Sequence, residues 1–116
     1  MNQTDLAQAL SGRTACAVLG ADRWQEFHNA SGTLLELGNT AGGETVGSWS
    51  IVGTGANAVV RYAYNNGGGT YDYQMCKEGT GTTVESLTYH FCGARNITNA
   101  RLVANTGTCG SGFTRP

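Results

Sequence analysis

Hydrophobic residues recur with helical spacing only at the start of the chain. Over Asn2–Leu10, two leucines lie four residues apart and so share one face of a helix. Asn2 or Thr4 can cap the first amide groups of that helix. Gly12 can adopt the left-handed conformation that commonly follows a helix end. The pattern therefore predicts one short N-terminal helix.

Beyond this segment, hydrophobic and polar residues alternate in short runs that are separated by glycine-rich turns. About eight such strands with a turn every ~8–12 residues are typical of a small barrel or a sandwich. Because the connections are short, we predict a mainly β, antiparallel up-and-down meander that forms a barrel or half-barrel, with a two-sheet sandwich as the alternative. The predicted strands are Thr14–Leu19, Arg23–His28, Thr33–Leu37, Val46–Val52, Ala58–Tyr64, Thr70–Cys76, Thr82–Cys92 and Ile97–Ala104.

The alternation also predicts which side chains face the interior. Several tyrosines fall on the inward positions, and each inward hydroxyl must either find a hydrogen-bond partner or reach a cavity. The aromatic residues that could line a ligand cavity are Trp24, Trp49, Tyr62, Tyr64, Tyr71, Tyr73 and Tyr89. The alternative is a packed aromatic core without a ligand.

Length and charge narrow the classes of protein. The 116 residues fit a single domain, 1–116, and charged residues make up only 13% of the chain. The seven basic residues are scattered and the net charge is −1, which disfavours nucleic acid and anionic membrane surfaces as partners. No apolar run approaches the ~18–20 residues that a spanning helix needs. We expect a monomer whose partner is a small molecule or another protein.

Four cysteines, Cys16, Cys76, Cys92 and Cys109, lack the spacing of zinc or thioredoxin-like motifs. An even number of cysteines in a short chain favours two disulfides and export to the periplasm, outer envelope or extracellular space. The hairpin pattern places Cys76 and Cys92 at opposite ends of neighbouring strands, too far apart for a bridge. We therefore expect Cys16–Cys76 with Cys92–Cys109, or alternatively Cys16–Cys92 with Cys76–Cys109.

One strand carries residues that could support chemistry. Trp24, Glu26 and His28 alternate along it and so share one face. With His90, the Glu26 and His28 side chains would be a minimal metal site or an acid–base pair. The alternative is that they are structural residues near a barrel end. No G-x-S-x-G motif is present, and no catalytic residue, metal site or cofactor is predicted.

Several short segments resemble those of a family of small exported Gram-negative bacterial proteins of unknown function. The segments are Gly12–Cys16, Arg23–His28, Gly32–Leu34, Val46–Ile51 and Phe91–Gly93, within a resemblance that covers roughly residues 10–110. The Gly-x-Trp-x-Ile segment before a tyrosine-rich strand is also loosely similar to calycin-type barrels, such as lipocalins and avidins. The first resemblance implies export and carries no known catalytic residues.

Three functional hypotheses follow. The first is a non-enzymatic exported or envelope-associated protein that binds a small molecule or a host or envelope component. The second is a protein-binding module, such as an enzyme inhibitor or surface antigen, that presents the loop Leu37–Thr45. The third is a small hydrolase or metal-dependent enzyme that uses Glu26 and His28.

Overall fold

A single short helix, α1 (Gln3–Leu10), opens the chain as the leucine spacing predicts. In the computed structural model, which describes residues 1–37, 43–107, 109–110 and 113, Asn2 caps this helix. The Asn2 side chain accepts a hydrogen bond from the Asp5 amide at 2.8 Å, and the Asp5 carboxylate accepts one from the Asn2 amide at 3.0 Å. This reciprocal capping satisfies two amide groups that a helix end otherwise leaves without partners.

Eight strands form a closed antiparallel barrel in which every strand pairs with its neighbours in sequence and β1 closes the barrel against β8. The predicted barrel is therefore confirmed, and the sandwich alternative is wrong. The strands are β1 (Arg13–Leu19), β2 (Asp22–His28), β3 (Thr33–Glu36), β4 (Glu44–Val52), β5 (Val59–Tyr64), β6 (Gly69–Glu78), β7 (Thr88–Gly93) and β8 (Asn96–Ala104).

The seventh strand is shorter than predicted. Residues Val84–Ser86 form a single 3-10 turn, and β7 begins only at Thr88. Thr83 and Ser86 bond each other's backbone groups, with the Ser86 hydroxyl 2.8 Å from the Thr83 carbonyl oxygen. Such local bonds from hydroxyl side chains compete with strand pairing. This competition explains why alternation alone placed the strand start too early.

Helix α1 packs across one end of the barrel. It contacts β1, β4 and β5, and its Leu6, Ala9 and Leu10 side chains are buried in the hydrophobic core. The Arg13 side chain holds the helix end by donating to the carbonyl oxygens of Gln8 at 2.7 Å and Ala9 at 3.2 Å. Among the described residues, no helix is long and apolar enough to cross a membrane.

The residues after β8 return along the outside of the barrel and are joined to it by a disulfide. Cys16 faces outward from β1 and is bonded to Cys109, with the two Cα atoms 5.6 Å apart. The Gln25 side chain of β2 accepts a hydrogen bond from the Cys109 amide at 2.7 Å, and Arg101 of β8 donates to the Cys109 carbonyl oxygen at 2.8 Å. This C-terminal segment therefore buries part of the outer face of β1 and β2.

Both predicted disulfide pairings are wrong, since Cys76 and Cys92 are free and exposed. The expectation that these two residues lie at opposite ends of a hairpin is wrong as well. Cys76 pairs in register with His90, and Cys92 pairs with Gln74, so the two cysteines are only two positions out of register on the outer face. Because β6 and β7 lie away from the C-terminal segment, Cys109 meets Cys16 instead.

Candidate ligand-binding cavity

A cavity of about 200 Å³ lies inside the barrel at the end where the β1–β2, β5–β6 and β7–β8 connections lie. We call this end the mouth and the space the mouth cavity. Helix α1 fills the opposite end. The lining residues come from six strands and two of the connections: Ala15, Ala17, Trp24, Glu26, Tyr62, Tyr64, Gly68, Tyr71, Tyr73, Phe91, Arg95 and Ile97.

Tyrosine rings from β5 and β6 form one wall of the mouth cavity. Inward residues of the two strands pair directly, with Tyr62 opposite Tyr71 and Val60 opposite Tyr73. The ring centroids of Tyr62 and Tyr73 lie 6.0 Å apart, and those of Tyr64 and Tyr71 lie 5.8 Å apart. These separations and tilted geometries are favourable for aromatic pairs. The wall is therefore held in place by contacts among its own members.

A buried carboxylate lies against this wall. Glu26 of β2 is only 7% exposed, and its Oε1 accepts a hydrogen bond from the Tyr64 hydroxyl at 3.0 Å. Burial, together with the nearby Glu26 carboxylate, raises the pKa of the Tyr64 hydroxyl. The same two causes raise the pKa of Tyr62 well above its ordinary value. The tyrosines thus stay protonated and available as donors, and negative charge stands beside them.

His28 lies one step deeper on the same strand, below the mouth cavity. Its Nδ1 lies 3.2 Å from the Arg13 carbonyl oxygen, and its Nε2 lies 2.7 Å from the Tyr62 hydroxyl. A carbonyl oxygen only accepts, so Nδ1 carries the proton and Nε2 accepts from Tyr62. Burial lowers the pKa of His28 to about 4, against an ordinary value of 6.5. The imidazole is therefore a neutral structural partner of the tyrosine wall.

The edge of the mouth cavity carries a cation that has partners of its own. The Arg95 guanidinium carbon lies 5.7 Å from the centre of the Trp24 ring, which is the geometry of a cation–π contact. Arg95 Nη1 also lies 3.4 Å from the Asp22 carboxylate. Arg95 thus covers the Trp24 ring, and much of its charge is balanced by Asp22.

The structure brings together most of the aromatic residues that the sequence singled out. Trp24, Tyr62, Tyr64, Tyr71 and Tyr73 line the mouth cavity. Two of the predicted residues lie elsewhere. The Trp49 indole N–H donates to the Asn29 carbonyl oxygen at 2.8 Å, and the Tyr89 hydroxyl donates to the Val84 carbonyl oxygen at 2.9 Å. Both face inward as expected but pack in the core outside the lining.

The suggested metal site at Glu26, His28 and His90 is not assembled. His90 lies on the outer face of β7, where its Nε2 contacts the Glu78 carboxylate, whereas Glu26 and His28 are buried. Within the described ranges, no group of three His, Cys, Asp or Glu side chains could hold a metal ion. Alternation cannot reveal this separation, because it gives only the side of the sheet within one strand.

Other lining residues had weaker sequence signals or none. Ala15 and Ala17 alternate along β1, and their small side chains leave the space that larger residues would fill. Arg95 lies in a turn, where periodicity makes no prediction. The predicted protein-binding loop Leu37–Thr45 includes residues 38–42, which lie outside the described residues.

Comparison of the chain with family models, with curated proteins and with solved structures found no match. The function is therefore argued from the geometry of the mouth cavity.

Proposed function

We propose that this protein binds a small organic molecule in the mouth cavity and does not transform it. The observation that carries the proposal is a cavity of about 200 Å³ walled by tyrosine rings, with a buried carboxylate at its side. Apolar walls with a small number of placed polar groups are the usual composition of a ligand site. The apolar walls provide affinity, and Glu26 with the tyrosine hydroxyls orients the ligand.

The size of the mouth cavity restricts the ligand to about one ring. A cavity of ~150 Å³ accommodates benzene, whereas pockets for drug-sized molecules span ~300–1,000 Å³. A space of about 200 Å³ therefore suits a six-membered ring with one short substituent. Such a ring would lie against Tyr62, Tyr73 and Phe91.

The residues around the mouth cavity favour binding over catalysis. His28 accepts a hydrogen bond from Tyr62 and lies beneath it, so the imidazole does not reach a ligand directly. The carboxylate of Glu26 is hydrogen-bonded by Tyr64. None of the described lining residues is a serine, threonine or cysteine, the side chains that most often act as nucleophiles.

We also propose that the protein works outside the cytoplasm, in the periplasm, outer envelope or extracellular space. The Cys16–Cys109 disulfide supports this location, because structural disulfides persist in oxidising compartments. The resemblance to small exported Gram-negative proteins points the same way, and exposure there would make the protein accessible to antibodies as an antigen.

The test compares one substitution inside the barrel with its neighbour on the outside. In Ala17→Leu, the added carbon atoms enter the mouth cavity, whereas in Val18→Leu they point outward from the same strand. Single-ring compounds would be screened by amide chemical-shift changes in the 15N-labelled protein. We expect hits that shift the amides of Tyr64 and Tyr71, that persist in Val18→Leu and that disappear in Ala17→Leu.

Circular dichroism of both variants would confirm that the barrel is folded. The proposal is overturned if no single-ring compound shifts these amides at millimolar concentration. It is equally overturned if folded Ala17→Leu binds the hits as well as the unmodified protein does.

A further inference from the structure

We propose that the mouth cavity selects an organic cation, a protonated or methylated amine carried on a single ring, over neutral and anionic molecules of the same shape. This inference rests on the proposed function, because it names the class of ligand for the same cavity. It is drawn from the placement of charge and of aromatic faces around the space.

Negative charge is concentrated on one side of the mouth cavity. Glu26 of β2 stands directly opposite Glu36 of β3 in the strand register, so both side chains leave the sheet on the same face. Glu26 is buried and Glu36 is half-buried. Like charges at directly opposed positions destabilise a sheet, and a cation between or beside them relieves that cost. The nearby Glu36 carboxylate also contributes to the raised pKa of Tyr64, which lines the cavity.

The positive charge at the edge does not cancel this pair. Arg95 is the cation among the described lining residues, and it is engaged by the Asp22 carboxylate and the Trp24 ring. The side of the cavity next to β2 therefore keeps a negative potential. In a space of low polarity such a potential acts more strongly than it would in water. A carboxylate or phosphate ligand would be repelled there.

The aromatic wall suits a cation for an independent reason. The faces of aromatic rings carry partial negative charge, and rings grouped around a pocket bind quaternary and protonated amines. Tyr62, Tyr64, Tyr71 and Tyr73 bring four rings to the mouth cavity, with neighbouring ring centroids 5.8–6.5 Å apart. Their tilted arrangement presents ring faces as well as edges to the space. An ammonium group between this wall and Glu26 would contact both.

The experiment uses three probes that share one ring and differ in charge: benzylammonium, benzyl alcohol and benzoate. Each would be titrated into the 15N-labelled protein at pH 7, and the dissociation constant taken from amide shifts. We expect benzylammonium to bind about tenfold more tightly than benzyl alcohol, and benzoate to bind most weakly. Raising the salt concentration should reduce the advantage of the cation.

Glu26→Gln removes the charge but keeps the oxygen that accepts from Tyr64. In this variant we expect benzylammonium to lose about tenfold in affinity and benzyl alcohol to keep its affinity within about threefold. Glu78→Gln is the matched control, because it makes the same change in net charge on the outer face and should alter neither. If Glu26→Gln fails to fold, Glu36→Gln should reduce the preference for benzylammonium in the same direction and by a smaller factor.

The outcomes separate the two proposals. If benzyl alcohol or benzoate binds as tightly as benzylammonium, or if folded Glu26→Gln and Glu36→Gln leave the preference unchanged, the cation is overturned and the ligand cavity stands. If none of the three probes binds at millimolar concentration and no other single-ring compound does, both proposals fail.

Discussion

At the scale of single residues, the polar side chains inside the barrel are all accounted for. Tyr62 donates to His28, Tyr64 donates to Glu26, and the Trp49 indole donates to a backbone carbonyl. In the part of the chain that the structure describes, no buried side-chain nitrogen or oxygen lacks a partner. A buried polar group without a partner costs ~1–3 kcal/mol, so this satisfaction is what allows a tyrosine-rich interior.

His28 should make the protein less stable as the pH falls. Its pKa is about 4 in the folded chain and 6.5 ordinarily, so between these values the unfolded chain binds a proton that the folded chain does not. The free energy of unfolding should therefore decrease from pH 6.5 to about pH 4, by roughly 3 kcal/mol in total. Urea denaturation at a series of pH values measures this decrease.

Other groups titrate in the same range, so the contribution of His28 is read from the difference between variants. His28→Gln should flatten the curve between pH 6.5 and 4, whereas His90→Gln on the outer face should leave it unchanged. NMR of the His28 ring should show a neutral imidazole at pH 5.5. A protonated ring at that pH, or parallel curves for the unmodified protein and folded His28→Gln, would contradict the prediction.

Gly47 illustrates a close approach that only glycine permits. A Cβ atom at this position of β4 would lie 2.2 Å from the Ala63 carbonyl oxygen of β5, which is backbone and cannot move alone. We expect Gly47→Ala to lower the free energy of unfolding by about 1–3 kcal/mol or more through this overpacking. Ser48→Ala, at the adjacent exposed position, should change it by less than about 0.5 kcal/mol. Equal midpoints of urea denaturation for the two variants would refute this reading.

At the scale of elements, helix α1 and the eight strands follow the predicted order. Local periodicity predicts them well because burial on one face repeats with the period of the element. The prediction is least accurate for Thr82–Cys92, where hydroxyl side chains bond the backbone before β7 begins. Alternation also places Glu26 on the same side as Trp24 and His28, but it cannot give their depths in the barrel. Depth is what separates a residue of the mouth cavity from a structural histidine.

Helix α1 should contribute to stability through its buried face. Leu6 is fully buried at the barrel end that α1 covers, so Leu6→Ala should lower the free energy of unfolding by about 3 kcal/mol. Gln8→Ala on the exposed side of the same helix should have little effect, since Arg13 bonds the backbone of Gln8 and not its side chain. Thermal denaturation of the two variants makes the comparison. A small loss in Leu6→Ala would mean that α1 is not part of the cooperative unit.

At the scale of the whole molecule, the C-terminal segment ties the two ends of the chain together. The Cys16–Cys109 disulfide spans 93 residues, and Arg101 and Gln25 hold the Cys109 backbone beside it. A cross-link of this span restricts most of the unfolded chain. The disulfide and the closure of β1 onto β8 therefore stabilise the same part of the barrel.

Loss of this disulfide should be costly, whereas loss of the other cysteines should not. We expect the double variant Cys16→Ser, Cys109→Ser to lose about 3 kcal/mol in free energy of unfolding. Cys76→Ser with Cys92→Ser is the matched control and should change it by less than about 1 kcal/mol, because both side chains are exposed.

A thiol assay on the native protein provides an independent check. It should detect two reactive thiols per chain, and they should be absent from Cys76→Ser with Cys92→Ser. A protein without free thiols, or one that loses as much stability in the control variant, would show a different pairing.

The sequence by itself determined the helix, the strands and the inward position of the tyrosines, because each of these depends on neighbours within a few residues. Only the tertiary structure decided which inward side chains meet. Strand register and closure of the barrel place Glu26 against Tyr64 but leave Trp49 and Tyr89 in the packed core. The route of the C-terminal segment decided that Cys109 bonds Cys16. These contacts join residues far apart in the chain, and local periodicity carries no information about them.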